Sequence, residues 1–202
     1  MDIRNAKLYP DQYFHIYNRG INGADVFFES KNCDFFLMQY AKYVHPYVNT
    51  YAYCLLKNHF HLLIKVKSET ELSKLTSNRD EKPLNWYVSN GFSSFLQSYT
   101  RAVNKMYSRT GGLFEKPFRR IEVTNDAYFS ALVAYIHRNP ENHGIVDDFK
   151  NYAYSSYQAY MGFDNTRLNR EEVLSWFGGK QAFIDFHQKN DHSKMVTSLL
   201  ME

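Results

Sequence analysis

The stretch VNTYAYCLLKNHFHLLIKV, residues 48–66, decides the expected fold, because two apolar runs in it are separated by only two polar residues. Residues 48–56 are rich in β-branched and aromatic side chains, which favour a strand. Lys57 and Asn58 fit a two-residue turn, and a second strand is expected over roughly residues 59–67. The stretch therefore predicts a β-hairpin.

The residues that precede the hairpin predict one strand and one helix. Residues 13–20 alternate aromatic or aliphatic side chains with polar ones and end in a glycine, as a strand followed by a turn does. Apolar side chains then recur at helical spacing until Pro46, which predicts a helix from about Ser30 to His45.

The residues that follow the hairpin predict a loop, two helices and a strand. Residues 68–83 are polar and charged and predict a mobile loop. Residues 84–112 have helical apolar spacing and end in two glycines. Residues 113–125 predict an irregular approach to a fourth strand, and residues 126–146 predict a helix that ends near proline and glycine.

The order of the first six elements is strand, helix, strand, strand, helix, strand, which matches a ferredoxin-like α+β sandwich. In this fold the second strand of the hairpin lies inside the sheet, beside the first strand of the chain. A further helix follows, and residues 147–202 predict short helices and turns. We therefore expect a main domain over residues 1–146 and a helical extension over residues 147–202 that packs on it.

The composition is that of a mildly basic globular protein. Hydrophobic residues make up 44% of the 202 residues, which excludes a disordered chain, and the net charge of +3 allows a nucleic-acid partner without requiring one. Aromatic residues make up 17%, and such side chains fill cores or stack on unpaired bases. Cys33 and Cys54 have no metal-like spacing and predict reduced thiols in the cytoplasm. The sequence shows neither a signal peptide nor an apolar run that would span a membrane.

A pair of histidines is the first candidate for chemistry. Residues i and i+2 of a strand point to the same face, so His59 and His61 are expected side by side, with Phe60 on the opposite face. Two neighbouring imidazoles suit two ligands of one divalent ion. The alternative is a pair of partly exposed histidines on a half-buried strand, and the motif by itself identifies no reaction.

A tyrosine and an asparagine on the last predicted helix are the second candidate. Tyr135 and Asn139 are four residues apart and share one helical face. The amide oxygen of Asn139 could complete a metal site, which would place Tyr135 one turn from the ion. The alternative is that Tyr135 packs against the sheet while Asn139 caps the helix before Pro140.

Basic side chains form the third candidate, a track for a single strand of nucleic acid. Arg101, Lys105 and Arg109 recur at every fourth residue and are expected on one face of a helix. The alternative for each is a solvated surface charge. The candidate nucleic-acid contacts are Arg19, Lys57, Arg101, Lys105, Arg109, Lys116, Arg119 and Arg120. Two further histidines are expected to play other parts, His15 in the core and His137 on the helix face turned away from the metal.

Three ordered motifs resemble those of the HUH single-strand transposases with one catalytic tyrosine. They are FHIYNRG at 14–20, NHFHLLI at 58–64 and YIHRNPENHGIV at 135–146. Among these enzymes the REP-associated tyrosine transposases and their insertion-sequence relatives are the most similar, and YAYSSYQAYMG at 152–162 also resembles a segment that follows their core. The resemblance covers roughly residues 10–162. One departure is Lys57, which stands where relatives commonly have proline, and this bears on the shape of the turn.

The resemblance implies a ferredoxin-like fold and metal-dependent cleavage and rejoining of single-stranded DNA, often near small hairpins. It implies His59, His61 and Asn139 as ligands of Mg²⁺ or Mn²⁺ and Tyr135 as the nucleophile that forms a 5′-phosphotyrosine. The implied partner is single-stranded or hairpin DNA, and both a monomer and a homodimer are compatible with it. Two alternatives stay open: a domesticated relative that binds hairpin DNA or RNA without cutting it, and an unrelated hydrolase that uses a histidine pair.

Overall fold

The structure is a computed structural model that describes residues 4–77, 81–188 and Val196 of the chain. Its centre is a four-stranded antiparallel sheet with the strand order β2-β3-β1-β4. The strands are β1 (Tyr13–Arg19), β2 (Val48–Leu56), β3 (His59–Val66) and β4 (Arg119–Val123). The hairpin predicted over residues 48–66 is therefore present, and its second strand lies inside the sheet beside β1.

Seven α-helices surround the sheet in the described part of the chain. They are α1 (Ser30–Tyr43), α2 (Glu69–Thr76), α3 (Leu84–Met106), α4 (Asp126–Asn142), α5 (Tyr157–Met161), α6 (Arg170–Trp176) and α7 (Lys180–Gln188). Two short 3₁₀ helices span Ile21–Gly23 and Phe149–Asn151. The predicted α+β class with ferredoxin-like order is confirmed, since β1, α1, β2, β3, α3 and β4 follow in sequence and α4 comes after them.

The two faces of the sheet support two separate cores, because successive strand side chains point to opposite sides. On one face, Phe14, Ile16 and Phe60 pack with α1 and α3 in a core rich in aromatic rings. On the other face, Leu63 and Ile121 pack with α4 and the C-terminal helices. The functional candidates on β3 and α4 lie on this second face.

The prediction of a mobile loop over residues 68–83 was wrong for the first half of this segment, where α2 forms. Ser68 caps this helix: its hydroxyl accepts a hydrogen bond from the Glu71 backbone N–H at 3.3 Å, and its own N–H donates to the Glu71 carboxylate at 3.0 Å. This reciprocal capping box stabilises the first turn, and Leu72 is buried against the core. Residues 78–80 lie outside the described residues.

One helix end also differs from the prediction, and another lies where proline and glycine predicted it. Helix α3 ends at Met106, and Ser108 beyond it has a left-handed backbone with φ of 52°. Arg109 therefore lies past the helix, and the predicted stripe retains only Arg101 and Lys105. Helix α4 continues through Pro140, and Gly144 follows it with a φ of 64°, a conformation that glycine adopts without strain.

The C-terminal helices pack on α4 through a buried network of hydrogen bonds. His187 Nδ1 lies 2.7 Å from the Phe183 carbonyl, which only accepts, so this nitrogen carries the proton. His187 Nε2 must then accept from His137 Nδ1 at 2.8 Å, and His137 Nε2 accepts from the Ser156 hydroxyl at 2.7 Å. As predicted, His137 faces away from the histidine pair on β3. No helix in the described ranges is long and apolar enough to cross a membrane.

Phe36 is the centre of the first core, and replacing it should destabilise the protein strongly. Its ring contacts those of Phe27, Phe60, Phe95 and Tyr99 at centroid distances of 4.6–5.1 Å. We expect Phe36→Ala to lower the free energy of unfolding by about 3–5 kcal/mol, because a large buried ring leaves a cavity. Urea denaturation measures this change.

The matched control is Phe163→Ala, since the Phe163 side chain is 94% exposed. We expect this change to stay within about 0.5 kcal/mol, as is usual for surface positions. Similar losses in the two variants would contradict the assignment of Phe36 to the core.

Candidate functional site

The hairpin places two imidazoles on the face of the sheet that α4 covers. His59 pairs with Arg19 of β1 and His61 pairs with Tyr17, while Phe60 is fully buried in the opposite core. The two imidazole rings lie 5.2 Å apart and almost perpendicular to each other. The alternation of the strand thus gives the expected arrangement.

The tautomer of His59 follows from its hydrogen bond to the preceding residue. His59 Nδ1 lies 2.7 Å from Asn58 Oδ1, and the same amide donates through its nitrogen to the Gly23 carbonyl at 3.3 Å. The amide oxygen therefore faces the imidazole and accepts the Nδ1 proton. This leaves a lone pair on His59 Nε2.

His61 is held by a third histidine. His61 Nδ1 lies 2.8 Å from His15 Nε2, and the two rings are stacked. His15 is fully buried, as predicted, and its Nδ1 has no hydrogen-bond partner among the described residues. When His61 Nδ1 donates its hydrogen bond to His15, a lone pair remains on His61 Nε2. Both histidines of the pair can then coordinate a cation through the Nε2 lone pair.

Burial keeps these imidazoles neutral at physiological pH. Desolvation lowers the pKa of His15 to about 3 and that of His59 to about 4, and it lowers the pKa of His61 well below its usual range. Charges on neighbouring imidazoles lower the last two further. Neutral imidazole is the form that binds a metal ion.

Helix α4 brings Tyr135 to the histidine pair. The Tyr135 ring meets the His61 ring edge-on, with centroids 5.6 Å apart. Burial raises the pKa of the Tyr135 phenol, and hydrogen bonding with the Asn139 side chain lowers it by a smaller amount. Asn139 is buried, and its side-chain nitrogen donates to the Tyr135 carbonyl at 3.0 Å.

A cavity of about 520 Å³ unites these groups, and we call it the Tyr135 cavity. Of the predicted site residues it contains Tyr135, both histidines of the pair, Arg19 and Arg119, whereas Asn139 does not line it. Arg19 is paired with Glu115, with Nε 2.7 Å from the carboxylate. The lining residues are Arg4, Tyr17, Asn18, Arg19, Asn58, His59, His61, Glu115, Arg119, Tyr135 and His143.

His143 is a lining residue that the sequence patterns did not identify. Its ring lies 5.0 Å from that of His59, measured between centroids. The available signal was its spacing, because His143 follows Asn139 by four residues and Tyr135 by eight, which continues one helical face. Even so, no three His, Cys, Asp or Glu side chains within the described residues are arranged to hold a metal ion.

The remaining predicted nucleic-acid contacts lie outside the Tyr135 cavity. Lys57, in the hairpin turn, pairs with Asp25 at 3.1 Å. Arg109 lies over the Phe28 ring at 5.7 Å, and Lys105 is exposed on α3. Arg101, Lys116 and Arg120 line a second cavity. The predicted basic track is therefore divided among several surfaces.

The fold is similar to that of a solved structure described as the REP-associated tyrosine transposase bound to a REP hairpin. The TM-score is 0.58 at 13% sequence identity, and the match covers 80% of this chain and 86% of that chain. At this identity the likeness concerns the fold. No family model matches the chain, and no curated protein matches it.

The neutral buried histidines should make stability depend on pH. His15 has a pKa of about 3 when folded and about 6.5 when unfolded, so the unfolded chain binds more protons between these values. The free energy of unfolding should therefore fall as pH drops from 7 to 4, with up to about 1.4 kcal/mol per pH unit from this residue. Chemical denaturation at each pH, with a chelator present, measures the slope.

His15→Phe should reduce this slope by about the contribution of one histidine, because it removes one group that protonates only on unfolding. An unchanged slope in this variant would show that His15 takes up no additional proton when the chain unfolds.

Proposed function

We propose that the protein is a metal-dependent transposase that cleaves and rejoins single-stranded DNA, with Tyr135 as the nucleophile. The observation that carries the proposal is the approach of the Tyr135 ring to that of His61, 5.6 Å between centroids, in a cavity that His59 also lines. A phenol and two metal-binding imidazoles in one cavity suit phosphoryl transfer through a covalent intermediate. The likeness of fold to a tyrosine transposase bound to a hairpin supports the same reading.

The donors present suit a divalent ion with open positions. His59 and His61 would hold it through Nε2. Asn139 lies outside the cavity lining and would have to turn its amide oxygen toward them, since its nitrogen is already used by the Tyr135 carbonyl. When bound, Mg²⁺ or Mn²⁺ polarises the scissile phosphate and stabilises charge in the transition state. Imidazole and amide ligands do not choose sharply between these two ions, and the oxygen-rich substrate favours either of them over a closed zinc site.

The phenol of Tyr135 needs help to act as a nucleophile. An ordinary phenol with a pKa of about 10 costs roughly 4 kcal/mol to ionise at pH 7. Burial raises the pKa of Tyr135 and increases this cost. Positive charge held at the imidazole pair would favour the phenolate.

Attack of the Tyr135 oxygen on phosphorus forms the 5′-phosphotyrosine and breaks the bond to the 3′ oxygen. The phenol loses its proton, and the departing 3′ oxygen takes one up to become a hydroxyl. The phosphodiester energy is kept in the covalent link, so a 3′-hydroxyl can reverse the reaction without ATP. The cavity walls hold the phenol in place, and this positioning lowers the entropic part of the activation barrier.

The proposed substrate is single-stranded or hairpin DNA, the latter because the similar structure is described as bound to a hairpin. If four to six phosphates of a single strand are contacted, the slope of log affinity against log salt should be about −3 to −4.

The second candidate function is binding of hairpin DNA or RNA without cleavage. It is favoured by the position of Asn139, which does not line the Tyr135 cavity, and by the lack of a third His, Cys, Asp or Glu metal donor within the described ranges. The two candidates differ in whether a covalent adduct forms.

Tyr135→Phe should abolish the covalent adduct, because it removes the attacking oxygen. The measurement is a denaturing gel of protein incubated with Mn²⁺ and an end-labelled single-stranded oligonucleotide that contains a hairpin. The matched control is Tyr17→Phe, which removes another hydroxyl from the same cavity. We expect Tyr17→Phe to retain the adduct. An adduct in Tyr135→Phe would defeat the assignment, and its absence from the unaltered protein would favour the binding function.

His15→Phe should weaken metal binding about 10- to 100-fold, because His61 loses the partner that orients its ring. Isothermal titration calorimetry with Mn²⁺ measures the affinity without DNA. His61→Ala should remove most of the binding, and Phe163→Ala should leave it unchanged. Equal Mn²⁺ affinity in the His15→Phe variant and the unaltered protein would show that His15 contributes to packing and not to the orientation of His61.

A further inference from the structure

A second cavity, of about 720 Å³, lies between α3 and the segment that leads into β4. Asn18 and Glu115 line both this cavity and the Tyr135 cavity, so the two are neighbours. Phe114 and Phe118 in its lining belong to the core on the α1 and α3 face of the sheet, whereas His61 contacts Tyr135 of α4 on the other face. The cavity is therefore separate from the proposed metal ligands, yet within reach of a polymer that passes through the Tyr135 cavity.

The charge in the lining of this cavity is positive. It includes Arg101, Lys116 and Arg120, and none of these makes an ion pair within the described part of the chain. Among the described residues of the lining, Glu115 is the one carboxylate, and Arg19 already pairs with it at 2.7 Å. An anion in the cavity would therefore meet uncompensated positive charge, as a phosphate-binding site requires.

Two buried polar atoms of the lining residues have no hydrogen-bond partner among the residues that the structure describes. They are Asn104 Oδ1, an acceptor, and Arg120 Nε, a donor. Buried polar atoms without partners are uncommon and costly, so each needs an explanation. A phosphate offers only acceptors, whereas a nucleobase offers both donors and acceptors at its edge. Both atoms are buried, so the pair would match the edge of a base, in addition to a phosphate, once these side chains turn toward the cavity.

The lining also contains a platform on which a base can stack. The Arg120 guanidinium lies over the Phe118 ring at 4.9 Å, and Phe118 stacks on Phe92 with centroids 5.2 Å apart and planes inclined by 29°. The Phe118 ring thus contacts both the Arg120 guanidinium and the Phe92 ring. Unpaired bases stack on guanidinium planes as they do on aromatic rings.

We propose that this second cavity binds one unpaired nucleotide of the strand whose neighbouring phosphate lies in the Tyr135 cavity. Arg101 and Lys116 contact the phosphate of that nucleotide, and its base stacks on Arg120 and bonds to Asn104. The volume is within the range of sites for small organic ligands. The inference rests on the proposed function only in taking the bound polymer to be single-stranded DNA.

The phosphate contacts are tested by fluorescence anisotropy of a labelled single-stranded oligonucleotide at several salt concentrations. In the double variant Arg101→Ala, Lys116→Ala the slope of log affinity against log salt should become shallower by about 1.4, which is about 0.7 for each lost contact. The matched control is Lys42→Ala, because Lys42 is exposed on α1 and lines neither cavity. Equal slopes in the double variant and the control would overturn the phosphate assignment.

The base contact is tested with oligonucleotides that lack one base at successive positions. For the unaltered protein, one position should lose roughly 5- to 140-fold in affinity, the range for one stacked base. Arg120→Lys keeps the charge and removes the planar group, so it should abolish that loss while leaving the salt slope unchanged. The same penalty at that position in Arg120→Lys would overturn the base assignment.

The covalent-adduct gel on the same proteins separates this inference from the proposed function. An adduct without the Arg120-dependent penalty would sink the nucleotide site and leave the transposase proposal standing. The penalty without an adduct would support the nucleotide site and count against the transposase proposal.

Discussion

The register of the β2–β3 hairpin is the constraint on which the rest of the site depends. The turn at Lys57 and Asn58 puts Phe60 into the aromatic core and, by strand alternation, turns His59 and His61 toward α4. A slip of one residue would exchange the two faces of β3. The imidazoles would then be buried in the apolar core, and Phe60 would point into the Tyr135 cavity. The packing of Phe60 against Phe36 and Phe114 therefore fixes the direction of the histidines.

Buried hydrogen bonds then fix the orientation of each imidazole. Asn58 holds His59 and His15 holds His61, and in both cases the partner bonds Nδ1. Desolvation keeps the rings uncharged, so their lone pairs stay available. A parallel chain through Ser156, His137 and His187 secures the opposite face of α4, the helix that carries Tyr135. The positions of the phenol and of the imidazoles are thus set by polar networks inside apolar surroundings.

Division of the sheet into two faces also separates two kinds of chemistry. The α4 face has Tyr135 and the imidazoles, whereas the α3 face has basic side chains that make no ion pair within the described ranges and that lie beside aromatic rings. Both reach the end of β1, where Asn18 and Glu115 form a shared wall. Of the eight basic residues predicted as nucleic-acid contacts, Arg19 and Arg119 line the Tyr135 cavity and Arg101, Lys116 and Arg120 line the second cavity, whereas Lys57, Lys105 and Arg109 line neither. The predicted track is divided because α3 ends before Arg109 and because Arg119 and Arg120 alternate across β4.

Features that depend on short-range periodicity could be predicted from the sequence: the hairpin, the shared face of His59 and His61, the common helical face of Tyr135 and Asn139, and the ferredoxin-like order. Helix α2 was also encoded locally, in the capping-box pattern of Ser68 and Glu71. Only the tertiary structure decided that His15 bonds His61, that His143 reaches His59, and that the Tyr135 side chain meets the pair while Asn139 turns to the helix backbone. These contacts join residues from separate elements, and their geometry follows from packing across the sheet, which local spacing does not specify.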